Sequence, residues 1–210
     1  MALTPAVIAA ATLALGDREG PGAMSMRRIA ADLGCDPMAI YRHFPNRQAL
    51  LDAVADLAVQ EVAVPAGEKP WDERVRAVLT DVRAAALRHP GIAGHIASRP
   101  PLGSAGQKLA AVITGALAEA GLAPGDVLKA SQALVAYSAA GLRMAVEAGA
   151  PDERWRQVNE ALEGETPVVG SAEQFEYGLR LLLNGIRLEA HPGEASRTAG
   201  AYSGQDRSCS

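Results

Sequence analysis

Apolar residues recur at helical spacing along almost the whole chain, and nowhere do apolar and polar residues alternate as in a half-buried strand. The first periodic run is Val7, Ala10, Ala11, Ala14 and Leu15. Thr4 is placed to cap it and Pro5 to open it, since the first turn needs no N–H from proline. Gly16 and the Gly20-Pro21-Gly22 run are expected to stop it. Ser25 is a good N-cap for a second helix with Ile29, Ala30 and Leu33 on its apolar face, ended by Gly34 in the left-handed region. Asp36 caps a third helix, Pro37 opens it, and Ile40 and Phe44 point inward at i, i+4. The stretch 25–46 therefore predicts a helix, a three-residue turn with glycine, and a helix, which is the helix-turn-helix layout. Asn46 caps a fourth helix over 47–62, striped by Leu50, Val54 and Leu57 with Leu51 and Ala58 beside them.

Residues 65–70, Pro-Ala-Gly-Glu-Lys-Pro, read as a linker. Beyond it, 71–89 carries Val75, Val78, Leu79, Val82 and Ala86 on one face, and Pro90 ends it. A short segment, 91–97, leads to an Arg99-Pro100-Pro101-Leu102-Gly103 loop. A helix over 104–120 ends at Gly121, and 124–149 is the longest helix, with Val127, Leu128, Leu134, Val135, Leu142 and Ala145 apolar. Its small residues Ser131, Ala139, Ala140 and Gly141 would admit another helix closely. A short helix over 152–162 and a loop over 163–170 follow. Ser171 and Gln174, in capping-box spacing, open the last helix. That helix is apolar on Phe175, Leu179, Leu182 and Ile186 and again on Leu181, Leu183 and Leu188, as in a helix that packs on two sides. The expected fold class is all-α: a helix-turn-helix domain with its connecting helix over 1–64, a second helical domain over 70–190, and a Gly-, Ser- and Arg-rich disordered tail over 191–210.

Composition narrows this picture. No apolar run approaches the roughly 20 residues of a membrane span. The apolar N-terminus lacks the basic flank of a secretory signal, which predicts no membrane association. Two cysteines, Cys35 in the motif and Cys209 in the tail, give no disulfide framework and point to a reducing cytoplasm. The net charge of −4 and pI near 5.6 argue against a general nucleic-acid binder. The charge is unevenly spread, however: 25–47 holds Arg27, Arg28, Arg42 and Arg47 against Asp32 and Asp36, a local balance of +2. Phosphate contacts need local cations rather than a basic protein. Met38, Tyr41, Arg42 and His43 on the outward side of the third helix are an odd set for a merely solvated face.

The run SMRRIAADLGCDPMAIYRHFPNRQALLDAV resembles the TetR family of bacterial regulators, in particular the tetracycline-repressor branch. The resemblance rests on Leu33-Gly34, on 40–44 (Ile-Tyr-Arg-His-Phe), and on Asn46-Arg47 followed by Leu50-Leu51. It continues more loosely through Arg88-His89-Pro90, the 99–103 loop and 175–179 (Phe-Glu-Tyr-Gly-Leu). It implies a ligand-responsive dimeric repressor, released from a near-palindromic operator in double-stranded DNA by a small-molecule effector. Its recognition helices would sit about 34–36 Å apart. It places Ser25, Arg27 and Arg28 at the start of the second helix for phosphate and base contact, and Pro37, Met38 and Ala39 against base edges. Tyr41, Arg42, His43 and Arg47 fall at or beside phosphate-contacting positions. The base-facing trio is apolar where tetracycline repressors carry an amide, so more specificity is expected from Arg27 and Tyr41. The homodimer would pair the long and the last helix with their mates through Leu134, Tyr137, Gly141, Phe175, Leu179, Leu182 and Ile186.

If that architecture holds, His95 and Arg99 are the leading ligand-binding candidates, followed by Gln132, Tyr137, Met144 and Trp155. No metal ligands or cofactor are expected: a metal-chelated effector would need histidines or carboxylates at set positions, and none can be placed. No nucleophile–base pair, phosphate loop or Cys-x-x-Cys argues for an enzyme. The alternative is a helical protein-interaction module whose helix-turn-helix does not bind DNA; the acidic total charge and apolar base-facing positions favour it slightly.

Overall fold

The computed structural model describes residues 2–147, 157, 160–161 and 168–191. Most of the helix expected over 152–162, most of the loop after it, Trp155 and the tail beyond 191 lie outside those residues. All regular structure among the described residues is helical. The helices are α1 (Pro5–Glu19), α2 (Met26–Asp32), α3 (Pro37–Tyr41), α4 (Arg47–Ala58), α5 (Trp71–Arg88), α6 (Pro90–Ser98), α7 (Ser104–Glu119), α8 (Pro124–Glu147) and α9 (Ala172–Ala190). No described helix is long and apolar enough to cross a membrane.

The expected caps form. The Thr4, Ser25, Asp36 and Asn46 side chains accept from the N–H of Val7, Arg28, Met38 and Ala49 at 3.3, 3.3, 2.7 and 2.8 Å. Each satisfies an amide that the helix cannot, worth about 1 kcal/mol. Gly34 has φ +65°, the left-handed residue that turns the chain from α2 into α3. At α9 the Ser171 hydroxyl accepts from Gln174 N–H at 3.1 Å. Gln174 does not return to Ser171, whose N–H already donates to the Val168 carbonyl; its side chain accepts from Gly170 N–H at 2.7 Å instead.

Two boundaries differ from expectation for one reason. α1 runs through Gly16 to Glu19, and 90–98 is a full helix opened by Pro90. The two helices cross at Gly16 and Gly91, where a Cβ on Gly91 would stand 2.4 Å from the Gly16 carbonyl carbon. Gly16 is thus a contact point rather than a stop.

That crossing lets α6 pack against α1 and α4 on one side and α5 and α8 on the other. The core under the helix-turn-helix contains Ile8, Leu15, Ile29, Ile40, Leu50 and Val54, and is completed by Ala86, Ile92, Ile96, Ala97 and Leu142 from beyond the 65–70 linker. The second core, around Val78, Ile113, Leu117, Leu134 and Leu179, includes Val59 from the end of α4. Burying each large side chain is worth about 1.5–3 kcal/mol. The apolar interior therefore crosses the linker in both directions, and the head is seated on the body rather than tethered to it.

Candidate functional site

The outer surface of α2 and α3 carries two kinds of arginine. Arg28 is paired along the surface, its Nη2 donating to Glu19 Oε1 at 2.6 Å and its Nε to Oε2 at 3.2 Å. Arg18 likewise holds Asp32 at 2.8 Å. These pairs tie α2 to α1 and leave Arg28, expected to contact DNA, engaged by a carboxylate of its own chain. Arg28 holds the Glu19 carboxyl below its ordinary pKa, partly opposed by desolvation. Arg47 is also engaged, its Nε donating to the Met24 carbonyl at 2.7 Å. Arg27 and Arg42 are exposed and make no ion pair among the described residues. Met38 is 65% exposed and Tyr41 43%, and His43 is exposed too, so neither ring packs away against α1. Pro37 and Ala39 are half-buried beside the buried Ile40. The Ser25 hydroxyl oxygen is used as a cap, which leaves its proton available to a phosphate.

A cavity of about 500 Å³ opens between α5, α6, α7 and α8. Val78, Val82, Ile96, Leu109, Ile113 and Val135 are typical of its wall, and the polar contributions come from Arg83, Ser98, Ser131, Gln132 and Ser138. Of the expected ligand residues, Gln132 lines it, while His95, Arg99, Tyr137 and Met144 do not. Tyr137 donates to the Phe175 carbonyl at 2.9 Å and stacks on the Phe175 ring at 5.5 Å, which fixes α9 on α8. Met144 is 39% exposed on the outside of α8.

His95 and Arg99 grip α4 instead. His95 Nε2 lies 2.8 Å from Asp52 Oδ1, and Arg99 Nε and Nη2 donate to the two oxygens of Asp52 at 3.1 Å each. Arg99 lowers the Asp52 pKa by this hydrogen bonding, against some desolvation and with help from His95. One turn along α4, the Asp56 carboxylate accepts from the backbone N–H of Ala105 at 3.1 Å and Gly106 at 2.8 Å. These are first-turn amides of α7 without a partner in their own helix, and the positive end of that helix suits a carboxylate. Gly103 permits the approach, since a Cβ there would sit 2.4 Å from Asp56 Oδ2. Arg83, Asp52, Asp56 and Ser138 escaped the sequence reading. The visible signals were a cation inside the apolar stripe of α5 and two aspartates at i, i+4 on α4.

The dimer residues also need correction. Leu134, Phe175 and Leu179 are at most 3% exposed inside one protomer, and a Cβ on Gly141 would press on the Phe175 ring at 3.0 Å. These side chains, with Tyr137, hold α9 to α8 within the chain. Leu182 and Ile186 are half-buried against the same core. The outward apolar stripe of α9 is Tyr177, Leu181 and Leu188, each 53–55% exposed. On α8, Ala133, Ala140 and Met144 are exposed and stand outside the cavity wall.

Residues 8–54 match the family model described as bacterial regulatory proteins, tetR family. An HTH-type transcriptional regulator of Saccharopolyspora erythraea is 32% identical over 136 residues, 64% of this chain and 58% of that protein, so the chain spans under two thirds of that relative's length. The tetracycline repressor protein class A from transposon 1721 of Escherichia coli is 28% identical over 200 residues, covering 88% of this chain and 90% of that one. Among solved structures, the Streptomyces coelicolor TetR family protein ActR in complex with actinorhodin superposes with a TM-score of 0.77 at 27% identity, covering 91% of this chain and 99% of that chain.

Proposed function

We propose that this chain, a member of the TetR family of bacterial regulatory proteins, is a dimeric repressor that a small molecule releases from a near-palindromic operator. Occupancy of the cavity would reach the DNA-binding head through α4. One observation carries the reading: the segment from Ile96 to Gly106 both walls the cavity and holds α4. Ile96, Pro100, Pro101, Leu102 and Gly106 face the cavity. Arg99, Ala105 and Gly106 hold Asp52 and Asp56, and His95, just before the segment, adds to the grip on Asp52. A ligand that prefers a displaced 96–106 segment therefore prefers a displaced α4, and the fused core passes that shift to α1–α3. The coupling is reciprocal: DNA that selects the other placement of α4 weakens ligand binding by the same factor.

On the DNA side, Arg27 and Tyr41 supply the specific polar contacts, Arg42, His43 and the Ser25 hydroxyl serve phosphates, and Met38 with Ala39 meets thymine methyl groups. Arg28 and Arg47 position α2 and α4. The dimer forms through the outward faces of α8 and α9, with Tyr177, Leu181 and Leu188 at its centre. The ActR complex with actinorhodin supports a small molecule bound within this fold. The site of action is the bacterial cytoplasm, where the operator is. A band-shift titration of the folded dimer against DNA flanking its own gene tests the reading. A retarded band that resists non-specific competitor DNA is expected, and no specific shift even at low salt overturns it.

A further inference from the structure

The charge of the cavity wall constrains what can enter it. Arg83 is the sole ionisable side chain among the described residues that line the cavity. Its Nη2 donates to the Gly170 carbonyl at 2.5 Å, and its guanidinium carbon lies 5.3 Å from the centre of the Phe175 ring. It makes no ion pair among the described residues. Glu176, the nearby carboxylate whose field it feels, accepts instead from the Thr80 hydroxyl at 2.6 Å. The Arg83 Nε is buried without a hydrogen-bond partner, and so is the Ser138 hydroxyl on the facing helix α8. Arg74 Nε, away from the cavity, is the other such buried side-chain atom among the described residues. Buried polar groups are normally satisfied, and a donor of a charged group left unmet in partly apolar surroundings is costly. Desolvation pulls the Arg83 pKa below its ordinary value, with Glu176 and Tyr137 opposing it. The guanidinium nevertheless keeps its charge.

We propose that the effector is an anion: a mostly apolar small molecule whose ionised acid group is taken by the Arg83 guanidinium and the Ser138 hydroxyl. This rests on the cavity being the effector site and specifies the chemical class of its ligand. A carboxylate or an ionised phenol matches the fork of N–H donors and is favoured further by low local polarity. The apolar wall takes the remainder of the molecule, as in most small-molecule sites. A cationic effector, or one carried on a chelated metal, would bring positive charge towards Arg83 and find no carboxylate or histidine among the described residues of the wall.

Fluorescence titration of the full chain at pH 8 with anthracene-2-carboxylate and with anthracene-2-carboxamide, matched in size and differing in charge, tests this. The acid is expected to bind about tenfold or more tighter. Arg83→Gln should remove the gap between the two probes, whereas Arg83→Lys, which keeps the charge, should retain most of it. Ser138→Ala should weaken the acid by a few-fold. Equal binding of acid and amide to the native chain, or a preference for the acid that survives Arg83→Gln, overturns the anion assignment and leaves the cavity as the effector site. Binding of neither probe, or binding unaffected by a cavity-filling Ala139→Phe, overturns both.

Discussion

Arg27 and Arg28 are neighbours in the chain with opposite fates. Arg28 lies where its guanidinium meets Glu19 and stitches α2 to α1. Arg27 faces outward with no partner among the described residues, so its donors are available to guanine or phosphate. Arg27→Ala should lower specific operator affinity by about 1–3 kcal/mol. Arg28→Ala should remove only an exposed ion pair, with little effect on stability or on operator affinity. Operator titration and denaturant melts of the two variants check this, and equal losses of operator affinity would refute the distinction. Sequence could place both arginines on the helix but not separate them. Glu19 lies nine residues earlier, beyond Gly16, which signals a stop too soon, and just before Gly20, where α1 does end. At the same scale His95 and Arg99 stand out in the sequence as ligand-binding candidates, yet neither lines the cavity. What they bind is a carboxylate of their own chain, and no local pattern announces a pair separated by more than forty residues.

At the scale of elements, α4 is the informative helix. Its apolar stripe was legible from periodicity, because Leu50, Leu51 and Val54 repeat at 3.6-residue spacing. Its polar edge was not, because Asp52 and Asp56 look like solvated positions until α6 and α7 arrive. The hydrogen bond from Arg99 holds the Asp52 pKa below the ordinary aspartate value of about 4. A depressed carboxylate pKa gives stability that is present above the unfolded value and is lost as pH falls through the folded one. Denaturant melts from about pH 5 down to pH 3 should therefore show a smaller acid-induced loss in Asp52→Asn than in the native chain. The difference should be a few tenths of a kcal/mol, because the pair is partly exposed. Identical pH profiles would mean that the Arg99 contact contributes nothing to folding. The capping signals were the most legible elements of all: Thr4, Ser25, Asp36 and Asn46 act where hydroxyl, carboxylate and amide side chains precede an apolar run. The 65–70 linker was legible too, but as a change in the chain's course. Whether the apolar core stops there depends on tertiary packing, and α6 carries that core across it.

For the whole molecule, the stripe of Tyr177, Leu181 and Leu188 on α9 stands more than half exposed and is the apolar surface that the proposed dimer would cover. Leu181→Glu places two like charges near a two-fold axis and should shift sedimentation to the monomer. Operator affinity should fall with it, since two linked heads reading two half-sites bind far more tightly than one. A Leu181→Glu dimer of native stability would move the interface elsewhere. Two-sided apolarity had marked α9 as an interface helix, but the sequence could not tell its inner side from its outer. Phe175 and Leu179 turn inward because Tyr137 and Gly141 on α8 receive them.

The Asp56 contact has a further consequence for the descent and engineering of such regulators. The first turn of α7 is finished by a carboxylate that belongs to the helix-turn-helix half of the chain. A chimaera that grafts a foreign reader onto this sensor keeps the sensor whole only if the graft supplies an acid at that place. The two halves are therefore not interchangeable cassettes, and position 56 is where a hybrid would first betray its seam.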